Sequence, residues 1–231
     1  MNPISNKYFF WISGIVLSLT LLINSSNNAS AQTNIGIRGG LSYSGMTYRS
    51  LASLPKVKVH GVKNQPTFAF VFEHFYKDHA GIEVSFQKVT TGFIEYNEDE
   101  TATNETHFDY FKVPVLANFY FGRSGRFHIK MGPHFGRLLK ATDVKREFEA
   151  PNEEIPILPT YGQEGDDPKK LMYGLTAGAG ISKVFGISTI AADVRASYEF
   201  GRPEGQGRIF DMTGTNIEFT LSYLFQVAKR K

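Results

Sequence analysis

The 231-residue chain contains no cysteine, so neither a disulfide framework nor a thiolate metal site can form in it. Its charges almost balance, with a formal net charge of +3 at pH 7, which gives no electrostatic reason to expect nucleic acid as a partner. Beyond the N-terminus, no apolar run reaches the ~20 residues that a transmembrane helix requires. These absences argue against a disulfide-stapled domain, a nucleic-acid-binding protein and a helical membrane protein.

The N-terminus carries one long apolar run, which begins at Tyr8 directly after Lys7. A polar stretch then ends in Ala29-Ser30-Ala31. A positive start, an apolar middle and a small-residue cleavage site together form a secretory signal peptide. We therefore predict a signal peptide over residues 1–31, with cleavage near Ala31-Gln32. The alternative is an uncleaved anchor for a periplasmic domain.

Beyond residue 31, apolar and polar residues alternate with the period of two that strands require. Neither a linker nor a composition shift interrupts this pattern, so we predict one domain over residues 32–231. The alternating segments are 34–46, 66–77, 80–95, 106–122, 126–141, 171–184, 187–200 and 214–226. The links between them are by turns long and short, and the short ones are Asp78-His79, Arg123-Ser124-Gly125 and Phe185-Gly186.

An even number of antiparallel strands, with all the long links at one rim, is the layout of a bacterial outer-membrane barrel. The predicted fold is therefore all-β: an eight-stranded antiparallel transmembrane β-barrel, up-and-down, with short periplasmic turns and long extracellular loops. A soluble ligand-binding barrel would alternate in the same way, with its apolar face inward. Segment lengths near the ~9–11 residues that cross a bilayer, and aromatic residues near segment ends, favour lipid on the outside.

If the apolar faces point outward, the lumen is highly charged. An eight-stranded barrel is just wide enough for side chains to fill it. We expect the charges to pair across the lumen and to fix register and shape, because an unpaired buried charge is costly. The residues of this predicted network are Arg38, Glu73, Glu83, Lys112, Arg126, Lys130, Asp193, Arg195, Glu199 and Glu218, with His128 and His134 on the same face.

Several of these strands carry motifs of a known family. They are Ile35-Gly36-Ile37-Arg38-Gly39-Gly40-Leu41-Ser42, Phe111-Lys112-Val113-Pro114-Val115-Leu116, and residues 118–122, 127–139 and 173–180. The chain resembles the outer membrane protein beta-barrel domain family, often labelled porin-family or PorT-family, of Gram-negative bacteria. The resemblance implies an integral outer-membrane barrel, with no catalytic residues shared across the family. It is also compatible with a role in protein secretion or gliding machinery, in which a few members of the family act. Such barrels often end on an aromatic residue, whereas here Phe225 is followed by a basic tail.

The sequence predicts no catalytic, cofactor or metal site. His128 and His134 stand about 20 Å apart at the ~3.3 Å rise per residue of a strand, too far to bind one metal without other strands. A lipid-modifying enzyme needs a His near a Ser and an acid, and no local motif of that kind is present. The glycine-rich stretch 174–180 precedes a strand rather than the helix that a phosphate loop requires. We expect its small residues to make room for neighbouring Arg and Lys side chains or to let the strand bend.

The long links differ in charge: residues 97–105 and 142–170 are acidic, and residues 47–65 are basic. The basic and acidic links could contact one another at the outer rim. Alternatively, the acidic links could bind divalent ions that also bridge lipopolysaccharide phosphates. The alternative is a solvated surface. The expected partners are outer-membrane lipid, lipopolysaccharide and envelope proteins, with no cofactor.

The expected function is a non-enzymatic structural or interaction role in the cell envelope, including a component of a secretion or surface machine. One alternative is a narrow porin-like channel for small solutes. The other is a soluble periplasmic ligand-binding barrel.

Overall fold

The structure is a computed structural model that describes residues 32–49, 58–96, 100–146, 161, 164, 170–200 and 211–228. The predicted signal peptide therefore lies outside the described residues, as do large parts of the charged links. The strands are β1 Gln32–Arg49, β2 Lys58–Gly61, β3 Gln65–Phe75, β4 Ala80–Tyr96, β5 Ala102–Gly122, β6 Gly125–Arg146, β7 Leu171–Phe185, β8 Ser188–Glu199 and β9 Asp211–Ala228. Over this part of the chain, no helix is long and apolar enough to span a bilayer.

The eight long strands form a closed ring in the order β1, β3, β4, β5, β6, β7, β8 and β9, and β9 pairs back to β1. Neighbouring strands in the ring are antiparallel. At the seam between the first and last strands, Ile35 opposes Phe225 and Ser42 opposes Glu218. The prediction of an all-β antiparallel barrel is confirmed.

The short strand β2 lies inside the link that the sequence predicted over residues 47–65. It pairs with the far end of β4, where Lys58 opposes Tyr96 and Gly61 opposes Phe93. The expected set of eight strands therefore omitted one. Four residues are too few to show an alternating pattern, and the pairing depends on a neighbour that is distant in sequence.

Strands β5 and β6 also extend further than the predicted segments 106–122 and 126–141, because their pairing continues to Asn104 opposite Arg146. Asp143, which the sequence placed in an acidic link, consequently lies in β6. Its Oδ1 accepts a hydrogen bond of 2.8 Å from Thr106 Oγ1. Part of the predicted acidic loop is therefore barrel wall.

The three tight turns, β3–β4, β5–β6 and β7–β8, lie at one end of the barrel together with Gln32 and Ala228. Gly186 in the β7–β8 turn has a φ of 60°, in the left-handed region that glycine adopts at no steric cost. We call this the short-turn end. The opposite end, which receives the remaining connections, is the long-link end.

Apolar side chains cover the outside of the ring, and ionic side chains occupy its inside. Phe70 and Leu221 are 60% and 66% exposed, whereas Arg38 and Glu83 are 1% and 0% exposed. Such an outer surface suits hydrocarbon rather than water. The arrangement contradicts the soluble alternative, in which the apolar faces would point inward around a ligand.

Candidate functional site in the barrel lumen

Glu83 on β4 contacts three cations in the lumen, each from a different strand. Its Oε1 lies 2.8 Å from Arg38 Nη1 and 2.9 Å from Arg195 Nη1, and its Oε2 lies 2.7 Å from Lys130 Nζ. The four side chains are at most 4% exposed. Removing one partner from such a group leaves a charge that water cannot reach, which is strongly destabilising.

Two further carboxylates surround Lys130 towards the short-turn end. Lys130 Nζ lies 3.2 Å from Glu73 Oε1 and 3.6 Å from Asp193 Oδ1. His128 Nε2 lies 2.8 Å from the same Asp193 oxygen. We call Arg38, Glu73, Glu83, Lys130, Asp193 and Arg195 the ionic cluster.

Lys112 and Glu218 form a looser pair on the long-link side of this cluster. Lys112 Nζ lies 3.8 Å from Glu218 Oε1 and donates a 2.8 Å hydrogen bond to Ser197 Oγ. Glu218 accepts hydrogen bonds from Gln87 at 2.6 Å and from Asn216 at 3.0 Å. Neutral side chains therefore complete the shell of this carboxylate.

Arg126 lies at the short-turn rim of the lumen, where it lines the same recess as Glu73 and Lys130. Its described contacts are with Tyr120 and Arg123. Arg126 follows the β5–β6 turn directly, and its guanidinium lies 4.1 Å from the centre of the Tyr120 ring. Its Nε donates to the Arg123 carbonyl oxygen at 2.9 Å. It belongs to the short-turn rim, because the strand has just entered the barrel at this residue.

Glu199 lies on the inner face but has a different environment from the ionic cluster. The side chain is 3% exposed, and its Oε1 has no hydrogen-bond partner within the described part of the chain. The structure thus places Glu199 in the lumen without bringing it into the cluster around Glu83.

Two of the glycines in β7 make room for histidine rings rather than for the expected Arg and Lys alone. A Cβ atom on Gly174 would lie 2.8 Å from His134 Nε2, and one on Gly180 would lie 2.6 Å from His128 Nε2. His134 Nδ1 in turn lies 2.9 Å from Thr176 Oγ1. In the described segments, no group of three or more His, Asp or Glu side chains could hold a metal ion.

An apolar layer, which the alternating pattern did not predict, lines the lumen on the long-link side along β4 to β7. Phe108 lies at its centre and contacts Tyr161 edge to face, with ring centroids 5.0 Å apart. The Tyr161 backbone is held by Asp143, whose Oδ2 accepts from the Tyr161 N–H at 3.1 Å. The residues of the apolar layer are Val89, Phe93, Phe108, Tyr110, Leu138, Ala141, Tyr161 and Met172.

The signal for this layer was present in the strand period. Phe108 and Tyr110 have the same parity as Lys112, and Val89 has the same parity as Gln87, so these side chains share the inner face. The rule that apolar residues point outward fails here because the outward residues at this level are polar, among them Lys88 and Thr90 on β4 and Asp109 on β5, so the two faces have exchanged their polarity.

A small recess opens at the short-turn end, beside Glu73. Asn34 Nδ2 and Asn118 Nδ2 donate to the Glu73 carboxylate at 3.2 Å and 3.0 Å. The recess, lined also by His128 and Lys130, has a volume of about 20 Å³, which is enough for a water molecule. It ends against the ionic cluster and is too small for a solute.

A closed antiparallel ring with an apolar exterior and an ion-paired interior defines an integral β-barrel protein of the outer membrane. The sequence profile of the outer membrane protein beta-barrel domain family matches residues 24–201, so the chain belongs to this family. Its location is the outer membrane. No curated protein matches the sequence.

Solved structures with a similar fold are small outer-membrane barrels. OprG from Pseudomonas aeruginosa superposes with a TM-score of 0.50 at 10% identity, over 86% of this chain and 99% of OprG. Neisserial surface protein A gives a TM-score of 0.43 at 11% identity, over 86% and 97% of the two chains. The attachment invasion locus protein Ail of Yersinia pestis gives 0.39 at 14% identity, over 84% and 97%. At these identities the similarity concerns the fold alone.

Proposed function

We propose that the protein is a non-conducting, non-enzymatic barrel that stands rigidly in the outer membrane and presents its long links for interaction at the cell surface. The observation that carries this proposal is the filled lumen. The ionic cluster and the apolar layer lie in series along the barrel axis. A solute that crossed the barrel would have to pass the ionic cluster and then the level at which the apolar layer lines the wall from β4 to β7.

The two layers oppose permeation for different physical reasons. Passage through the ionic cluster separates buried ion pairs, each of which is costly to break. Passage through the apolar layer requires an ion to leave water without replacement ligands, which is also unfavourable. Opening one layer therefore leaves the other in place. This supports an interaction role over the narrow-channel alternative.

In this proposal the ionic cluster has a structural role. Each member comes from a different strand, apart from Asp193 and Arg195, which share β8. Ion pairs that connect several strands fix the register of those strands. The family and the similar structures indicate no secretion machine, so the proposed role is limited to surface interaction and envelope structure.

Planar-bilayer recording tests the proposal. The protein is refolded, its folded state is verified by a mobility shift between boiled and unboiled samples, and it is then added to the bilayer. We expect no conductance steps, either from the wild type or from the Phe108→Ala variant, in which the ionic cluster stays intact. Uniform steps from wild-type protein that shows the mobility shift would contradict the proposal and support the channel.

The proposal includes removal of the signal peptide. The first strand begins at Gln32, directly after the predicted cleavage site. N-terminal sequencing of protein extracted from outer membranes should begin at Gln32. A chain that retains Met1 in that fraction would show an uncleaved anchor instead.

A further inference from the structure

We propose that the outer wall of this barrel carries a binding site for the phosphate groups of lipopolysaccharide. The site consists of Lys88 on β4 and of Arg137 and Lys140 on β6, which we call the basic patch. All three side chains are exposed, on the side of the barrel wall that faces away from the lumen.

The sheet places these cations next to one another. Lys88 opposes Phe111 on β5, and Phe111 opposes Arg137 on β6. Neighbouring strands are ~4.8 Å apart, so the Lys88 and Arg137 backbones are separated by roughly 10 Å. Long, flexible side chains at this spacing can contact one phosphate together or two phosphates of the same lipid.

A β-bulge brings the third cation to this face. Tyr110 opposes Leu138, whereas the preceding Asp109 opposes Lys140, so Leu139 is an additional residue on β6. Bulges redirect the side chains that follow them. Leu138 is buried in the apolar layer, but Lys140 is exposed. In a regular strand Lys140 would have the same parity as Leu138 and would point into the lumen.

The basic patch follows the long apolar runs of β4 and β6, and the exposed large apolar residues of these two strands that lie within or beyond it are Leu139 and Val144. The outward residues before Lys88 include Phe86, and those before Arg137 include Met131 and Phe135, all of them exposed apolar side chains. Short turns of outer-membrane barrels face the periplasm. This orientation puts the patch at the level of the outer-leaflet headgroups, where lipopolysaccharide carries its lipid A phosphates above its acyl chains.

The described part of the opposite wall differs at the corresponding level. Towards the long-link end of β1, β8 and β9, its outward residues include Tyr43, Tyr198 and Thr215, which are uncharged. Among the described strands, the cations at this level are therefore gathered on one side of the barrel. A one-sided cluster favours a discrete multi-phosphate ligand over a general attraction to anionic lipid.

One carboxylate lies next to the basic patch and reduces its net positive charge. Asp109 opposes Lys140 in the ladder, and its Oδ1 accepts a 2.5 Å hydrogen bond from Thr90 Oγ1. Asparagine at position 109 can accept the same hydrogen bond without the negative charge. The Asp109→Asn variant should therefore bind a phosphorylated ligand more tightly than the wild type.

The test uses the full chain refolded in vesicles of zwitterionic phosphatidylcholine and titrated with lipid A at low salt. Each cation near an anionic lipid surface contributes about fivefold to binding, so the K88A/R137A/K140A variant should bind lipid A about 100-fold more weakly. Asp109→Asn should bind about fivefold more tightly. The matched control, K77A/R123A/K183A, removes the same charge from exposed positions at the short-turn end and should bind like the wild type.

Titrations and competition experiments with other ligands identify the chemical group that is bound. Lipid A without phosphates should bind at least tenfold more weakly, and inorganic phosphate and phosphatidylglycerol should not compete at equal concentration. Equal losses in the patch and control variants, or equal binding of phosphatidylglycerol, would overturn the proposal in favour of unspecific attraction. If the triple variant does not show the boiling-dependent mobility shift, it has not folded, and the test then uses Asp109→Asn and the three single substitutions of the patch. Lipid A affinity equal to that of the wild type in all of these variants would refute the site.

Discussion

The ionic cluster and the apolar layer lie at neighbouring levels of the same lumen and have opposite chemistry. In the cluster, Glu83 is held by charge-assisted contacts of 2.7–2.9 Å to its cations. In the apolar layer, Phe108 is held by packing against rings such as Tyr161. The first region depends on the charge of each side chain, and the second depends mainly on its volume. Isosteric substitutions should therefore separate the two regions.

The largest effect is expected for Glu83→Gln, which keeps the shape of the side chain but removes its charge. Arg38, Lys130 and Arg195 then lose their shared counter-ion in a site closed to water. Breaking a buried ion pair costs about 3–5 kcal/mol, and we expect the upper end because three cations are affected. The measurement is urea unfolding in vesicles, followed by the mobility of unboiled samples.

The control for this substitution is Glu105→Gln at the long-link end. Glu105 lies 2.6 Å from His107 and is about a quarter exposed, so the change should cost less than about 1 kcal/mol. Equal costs for the two variants would contradict the special role of Glu83.

The next effect in size is expected for Arg195→Gln, at about 3 kcal/mol, the lower end of the range for a broken buried pair. In this variant the Glu83 carboxylate keeps two counter-ions, Arg38 and Lys130, so the cost is smaller than that of Glu83→Gln. An unchanged unfolding midpoint would argue against the ionic cluster as the element that fixes strand register.

The apolar layer should respond weakly to a change of similar volume. Met172 is 1% exposed and belongs to this layer. Met172→Leu conserves volume, so we expect a cost below about 1.5 kcal/mol. A loss as large as that of Glu83→Gln would show that the two regions do not differ in the way described.

The smallest effect is expected at the rim, for Arg146→Gln. Arg146 Nη1 lies 3.1 Å from Asp143 Oδ2, with the side chains 24% and 12% exposed. A partly exposed pair contributes about 0–1 kcal/mol and is screened by salt. Its contribution should shrink in 1 M NaCl, whereas the cost of Glu83→Gln should change little. Equal salt sensitivity in both would contradict the difference in burial.

These two regions also show what the sequence could and could not predict. The period of two in β8 correctly put Asp193 and Arg195 on the inner face, because alternation is a local property of a strand. It could not identify which carboxylate collects the cations, since Glu83 and Arg195 are distant in sequence and meet only after the ring closes.

The apolar layer was missed for a related reason. The alternating pattern predicts a polar inner face along the whole barrel, whereas Phe108 and Val89 face inward at the long-link end. Tyr161 could not have been assigned at all, because it comes from a link without strand periodicity. The short strand β2 and the bulge at Leu139 likewise depend on pairing, which a single strand does not encode.

The most direct test of the filled lumen uses the absence of cysteine in this chain, which allows single thiols to be introduced without background. Ser85 is 0% exposed and accepts a 3.0 Å hydrogen bond from Arg38 Nη2, whereas its neighbour Phe86 faces outward. In folded Ser85→Cys protein, a charged water-soluble thiol reagent should not react until urea unfolds the barrel. In Phe86→Cys protein, a lipid-soluble maleimide should react without unfolding. Rapid reaction of folded Ser85→Cys with the charged reagent would reveal a water-filled lumen and contradict the account.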